Sequence, residues 1–139
     1  MVSKEKIFQK FNLLDDYLNI LKEIAQKPVN TFLKDKILLG SAKYYLQVSI
    51  ECCLDVANHI IASERLRVPK DYADSFKVME EEGLVGEELG KRLQQMAKFR
   101  NRLVHLYGDI DDVNVHIYIN KDVKDLVEFK SIIIDCYGK

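Results

Sequence analysis

At 139 residues the chain is long enough to bury one real core and too short for two comfortable ones, so residues 1–139 are expected to form a single domain. Hydrophobic residues make up 47% and charged ones 31%, with six glycines and two prolines, a composition that excludes disorder and suits a helical globular protein. The formal net charge of −1 excludes a global field that would draw the chain onto nucleic acid or an anionic membrane, so any RNA contact must be local.

From Lys4 to Gln26, Ile7, Phe11, Leu14, Leu18, Leu21 and Ala25 recur at spacings of three and four, which predicts one amphipathic helix ended by Pro28. A second helical stretch is expected from about Asn30 to Arg65, carrying Leu38, Ala42, Tyr45, Ser49, Cys52, Val56 and Ile60 on one face. Its length and its apolar residues on more than one face point to several packing partners, a second copy of the chain among them. The Arg67–Ser75 segment reads as a loop leading into a short helix, about Asp74 to Glu82, closed by Gly83. After Gly86 a fourth helix begins, with Leu89, Leu93, Met96, Leu103 and Tyr107 facing inward and Gly108 placed to end it. Val113, Val115, Ile117 and Ile119 alternate like a strand, but a lone strand has no partner here, so the C-terminal region is read as helix too. The expected architecture is all-α, an up-and-down bundle of about five helices.

Cys52, Cys53 and Cys136 are odd in number and have no CxxC spacing, which reads as buried thiols in a reducing compartment. No signal-type apolar segment opens the chain and no run of about 18 apolar residues occurs, so a cytoplasmic protein without membrane contact is expected. Glu80, Glu81, Glu82, Glu87 and Glu88 form an acidic block, followed by the basic Lys91, Arg92, Lys98, Arg100 and Arg102; such runs are commonly solvated helix faces.

No phosphate-binding glycine loop, HExxH, paired CxxC or GxSxG elbow is present, which removes the warrant for most enzyme classes. The densest set of reactive groups is Arg100-Asn101-Arg102-Leu103-Val104-His105-Leu106-Tyr107. On a helix Asn101 and His105 share a face, and Arg102 lies close to His105. Arg100 and His105, five positions apart, sit about 140° from one another around the axis; they meet only if the helix end unwinds, the arginine stem curls round, or a second subunit contributes. Chemically, a histidine that moves protons near neutral pH and an arginine that grips phosphate suit metal-free phosphodiester cleavage, with His105 as general acid or base and Arg100 on the transition-state charge. RNA would supply its own 2′-hydroxyl nucleophile and leave a 2′,3′-cyclic phosphate. The plainer alternative has Arg100 and His105 capping the helix C-terminus and pairing with Asp109 or Asp111.

Arg100 to Tyr107 resembles the Arg-Asn-x-x-Val-His-x-Tyr signature of the HEPN superfamily, and in particular of its HepT toxin family. Leu54-Asp55-Val56-Ala57-Asn58-His59-Ile60-Ile61, the Val68-Pro69-Lys70-Asp71-Tyr72 loop, Met96-Ala97-Lys98-Phe99 and Tyr107-Gly108-Asp109-Ile110-Asp111 resemble the same family in the same order, so the likeness covers nearly the whole chain. The resemblance implies a homodimeric ribonuclease toxin of the type VII kind, without cofactor, whose Arg100 and His105 meet their copies in a cleft between subunits. It also implies an MntA-like minimal nucleotidyltransferase antitoxin that transfers AMP to Tyr107, with Asn101 orienting His105 or the phosphate and Arg102 in support. Two other readings stand beside it: a non-catalytic HEPN module that binds nucleotide or docks a nucleotidyltransferase, and a purely structural dimerisation domain.

Asp55 and His59, four apart on the second helix, are too few for a metal site and read as a satisfied buried hydrogen bond or part of a dimer seam. Glu51 is interfacial or helps position the basic residues of the fourth helix. His116 is expected to be an ordinary surface or loop histidine, and Tyr44 and Tyr45 to be core or interface residues.

Overall fold

The computed structural model describes residues 1–105 and 110–138. Five long helices carry the fold: α1 (Lys4–Ala25), α3 (Lys36–Ser63), α4 (Tyr72–Glu81), α5 (Glu87–His105) and α7 (Lys124–Tyr137). Two short ones, α2 (Val29–Lys34) and α6 (Asp112–Ile117), and a π-helical turn at Tyr118–Asp122 join them.

Three of the long helices, α1, α3 and α4, begin where a side chain accepts from their unpaired amides. The Ser3 hydroxyl accepts from the Lys6 amide to open α1. Asp71 does the same for Asp74 at the head of α4. Gly83, at φ +73°, takes the left-handed conformation that closes α4, and the Leu84 amide reaches back to the Met79 carbonyl. The single long helix expected over about Asn30–Arg65 is in fact two. Asp35, at φ −97° and ψ 101°, breaks it, and its carboxylate accepts from the amides of Ile37 and Leu38 to start α3 afresh.

Buried side chains from all seven helices form one hydrophobic cluster. The Phe129 ring of α7 meets Phe11 of α1 edge-on at 6.4 Å and Phe76 of α4 edge-on at 5.6 Å, tying three helices together. Leu89, Leu93, Met96 and Leu103 are buried on α5, as their spacing predicts; Tyr107 and Gly108 lie outside the described residues. The alternating Val113–Ile119 segment is helical. Asp111 caps α6, and the Val123 amide bonds the Tyr118 carbonyl five residues back, widening the chain into the π-turn. This turn lays Tyr118 flat on Phe99, with centroids 4.1 Å apart and planes 9° apart, and so props the C-terminal half of α5.

Cys52 and Cys53 are buried as expected, and burial pushes the Cys52 thiol up to about 11. Cys136, expected to be buried like the other two, is exposed in the last turn of α7, past the final buried residue Ile133. Among the described residues no helix is long and apolar enough to cross a membrane.

Candidate ribonuclease groove

The C-terminal turns of α5, the start of α4 with the loop before it and the C-terminal part of α3 line a groove of about 470 Å³, a size that suits a small ligand. Asn101 and His105 form one wall, Asn58 of α3 and Ser75 of α4 the floor, and Pro69, Lys70, Asp71 and Tyr72 the other wall. The Ser75 hydroxyl donates to the Asn58 side-chain carbonyl at 2.8 Å, so the floor is a satisfied polar pair.

The Pro69–Tyr72 wall is held by Arg67. Its guanidinium grips Asp74 through both Nη atoms, at 2.7 and 2.9 Å, and Glu81 through Nε at 2.8 Å. Asp74 also accepts from the Lys70 amide at 2.8 Å, which ties the loop to the helix that follows it. The Arg67 hydrogen bonds, helped by the Lys70 amide, hold the Asp74 carboxyl well below the usual carboxylate range.

Arg100 sits behind this wall. Its Nε donates to Glu51 Oε2 at 2.8 Å, and Nη2 lies 2.6 Å from the same oxygen. Nη1 donates to the side-chain oxygen of Asn101 at 3.2 Å, and the Tyr72 ring covers the guanidinium at 4.9 Å. Helix α5 is unbroken from Arg100 to His105, so no unwinding between the two brings them together. Among the described residues Asn101 and Tyr72 bridge them, each touching Arg100 and lining the groove with His105. Of the alternative in which Arg100 and His105 pair with Asp109 or Asp111, Asp109 lies outside the described residues; among the described residues Arg100 goes to Glu51 of α3, and Asp111 accepts from the Val113 amide at 3.0 Å. Asn101 and His105 share a face, as the spacing of four requires. Arg102 does not join them in the lining; its guanidinium stands 5.9 Å from the Phe99 ring. Tyr107 lies outside the described residues.

The basic run is largely a solvated face: Lys91, Arg92, Lys98 and Arg102 are exposed, and Arg100 alone is half-buried. Lys91 pairs with Glu87, Arg92 with Asp125 and Arg100 with Glu51, so three of its cations are spent within the chain. Glu51 pairs with one basic residue of α5, Arg100. Asp55 and His59 do not bond each other: Lys10 takes Asp55 at 2.9 Å, and the Ser3 amide donates to His59 Nε2 at 2.9 Å. The two side chains leave α3 toward different parts of α1, and burial followed by the positive charge of Lys6 holds the His59 pKa down. His116 is on a helix, where its ring packs 5.2 Å from Phe32 and seats α6 on α2. Asn58, Ser75 and Tyr72 carry no functional signal of their own in the sequence; Asn58 and Tyr72 are marked only by their place in stretches that resemble the HEPN family, and Ser75 falls outside those stretches.

Helix order and groove together define a HEPN bundle. The chain superposes with a TM-score of 0.86 on the tri-AMPylated HEPN toxin of Shewanella oneidensis in complex with its MNT antitoxin, at 26% identity over 92% of this chain and 96% of that one. The Ribonuclease HepT-like family model matches residues 14–133, and the chain belongs to that ribonuclease family. It is 32% identical to the mRNA nuclease HepT of Shewanella oneidensis over 103 residues, 73% of this chain and 77% of that protein. It is 26% identical to the tRNA nuclease HepT of Aphanizomenon flos-aquae over 113 residues, 80% of this chain and 76% of that protein.

Proposed function

We propose that residues 1–139 form one HEPN domain acting in the cytoplasm as a metal-independent ribonuclease toxin, with Arg100 and His105 at its reacting centre. The observation that carries this reading is the groove wall on which Asn101 and His105 stand side by side, with Arg100 bonded to Asn101. His105 takes the proton of a ribose 2′-hydroxyl, the 2′-oxygen forms a bond to phosphorus, and the 5′-oxygen leaves with a proton, giving a 2′,3′-cyclic phosphate. Arg100 offers its fork to the charge that builds on the phosphate oxygens, and Asn101 fixes the direction of that fork. In a homodimer whose grooves face one another, one histidine serves as base and its copy as acid, with Arg102 in support at the rim.

The Shewanella oneidensis toxin that this chain resembles is AMPylated and bound to an MNT antitoxin. By analogy, an MntA-like nucleotidyltransferase neutralises this chain by placing AMP on Tyr107, where added negative charge and bulk would repel or block RNA. A second reading, a non-catalytic module that docks such a partner, draws support from the Glu51 carboxylate that already neutralises Arg100.

The test incubates the purified protein with RNA in excess EDTA, with and without prior exposure to a minimal nucleotidyltransferase and ATP, and identifies product ends and protein adducts by mass spectrometry. The expected result is cyclic phosphate ends from the untreated protein and, after treatment, AMP on Tyr107 with cleavage lost. Absence of cleavage by a Tyr107-unmodified protein moves the reading to the docking module.

A further inference from the structure

We infer that Glu51 is a positioning residue for Arg100, an inference that rests on the ribonuclease reading above. Glu51 is the one charged residue of α3 between Lys43 and Asp55, and the residues on either side of it, Ile50 and Cys52, are buried. Its Oε2 gathers Arg100 Nε at 2.8 Å, Arg100 Nη2 at 2.6 Å and Gln47 Nε2 at 3.1 Å. Gln47 and Glu51 are one helical turn apart, so the carboxylate is aimed by its own helix and does not swing on a loop.

Three elements hold the guanidinium. α3 takes its Nε edge through Glu51, α5 takes an Nη1 donor through Asn101, and the head of α4 covers one face with Tyr72. The side chain is only 14% exposed, which leaves little room for other rotamers. A free arginine stem samples many directions; a carboxylate on the Nε edge selects the one in which Nη1, beside Asn101, is turned toward the wall that His105 shares. The same carboxylate offsets the cation's charge. RNA phosphate therefore gains little from Arg100 in the ground state, while the directional donors remain for the transition state, which places the effect of Glu51 on kcat rather than on KM.

The experiment measures kcat and KM for RNA cleavage in EDTA by the full-length protein, its Glu51→Gln and Gln47→Ala variants, Arg100→Lys, and the double variant Glu51→Gln with Arg100→Lys, alongside thermal melts. Glu51→Gln keeps shape and hydrogen bonding to Gln47 and is expected to lower kcat by about tenfold or more, with KM within about threefold. Gln47→Ala, which loosens the carboxylate without touching the arginine, is expected to lower kcat by a smaller factor. In the Arg100→Lys background Glu51→Gln is expected to add almost nothing, because lysine has no fork to orient. A structural role alone would instead give equal losses in both backgrounds. Parent-like or higher kcat in Glu51→Gln, or equal losses, overturns the positioning role while leaving the ribonuclease reading intact. An inactive parent removes both.

Discussion

Arg92 and Asp125 show how a single charge pair is fixed by burial. Asp125 is 1% exposed in the first turn of α7, Arg92 donates to its Oδ1 at 3.1 Å, and its Oδ2 has no hydrogen-bond partner among the described residues. Replacing Arg92 by alanine leaves a buried carboxylate without the cation that donates to it, and the expected loss in urea unfolding is roughly 2 kcal/mol, below the range for fully buried pairs because Arg92 is 44% exposed. Adding Asp125→Asn to that variant is expected to recover about half of the loss, since the amide removes the stranded charge. Equal stability of parent and Arg92→Ala would contradict this. In the sequence neither residue points to the other: they are 33 positions apart, and Arg92 reads as one more member of a basic run. The groove is more legible. Asn101 and His105 are one helical turn apart, and Glu51 reads in the sequence as a residue that could position the basic residues of the fourth helix, but which of them it meets, 49 positions away, shows only in the fold.

At the scale of the element, the Arg67 clamp is what gives the groove its second wall. The loop before α4 lacks core residues of its own, and its shape depends on Arg67 bridging Asp74 and Glu81. The Arg67 hydrogen bonds depress both carboxyls. A depressed folded-state pKa stabilises above the unfolded value near pH 4, and that contribution is lost as pH falls through the lower folded value. Asp74→Asn is therefore expected to melt about 3 °C below the parent at pH 6, with the gap closing as the pH is taken from 5 to 2. A gap that stays constant with pH would show that the clamp does not titrate with Asp74. Periodicity reveals the long helices because each turns a repeating apolar stripe to the core. It misses the restart at Asp35, whose neighbours Lys36, Leu38 and Leu39 continue a helical pattern across the break. It also misses the π-turn, where the Tyr118–Phe99 stack decides the local winding.

For the whole molecule, the bundle sets the proposed reacting groups on rigid helices. α3 meets Arg100 through Glu51, α4 covers it with Tyr72, and α5 carries Asn101 and His105 on one face, so the geometry of the groove depends on how three helices pack. The all-helical class follows from composition and helical spacing. The groove does not, because its floor and second wall come from Asn58, Ser75 and Tyr72, residues that local pattern treats as ordinary helix and loop.

The most direct test of the account is the single-turnover rate of RNA cleavage in excess EDTA for the parent, His105→Ala and Arg100→Lys, each first shown to melt within a few degrees of the parent. The account predicts metal-free cleavage by the parent and a loss on the order of a hundredfold or more in both variants, since neither alanine nor lysine can do what the replaced side chain does. Cleavage by His105→Ala at the parent's rate would contradict it, and would place the chemistry elsewhere on the molecule.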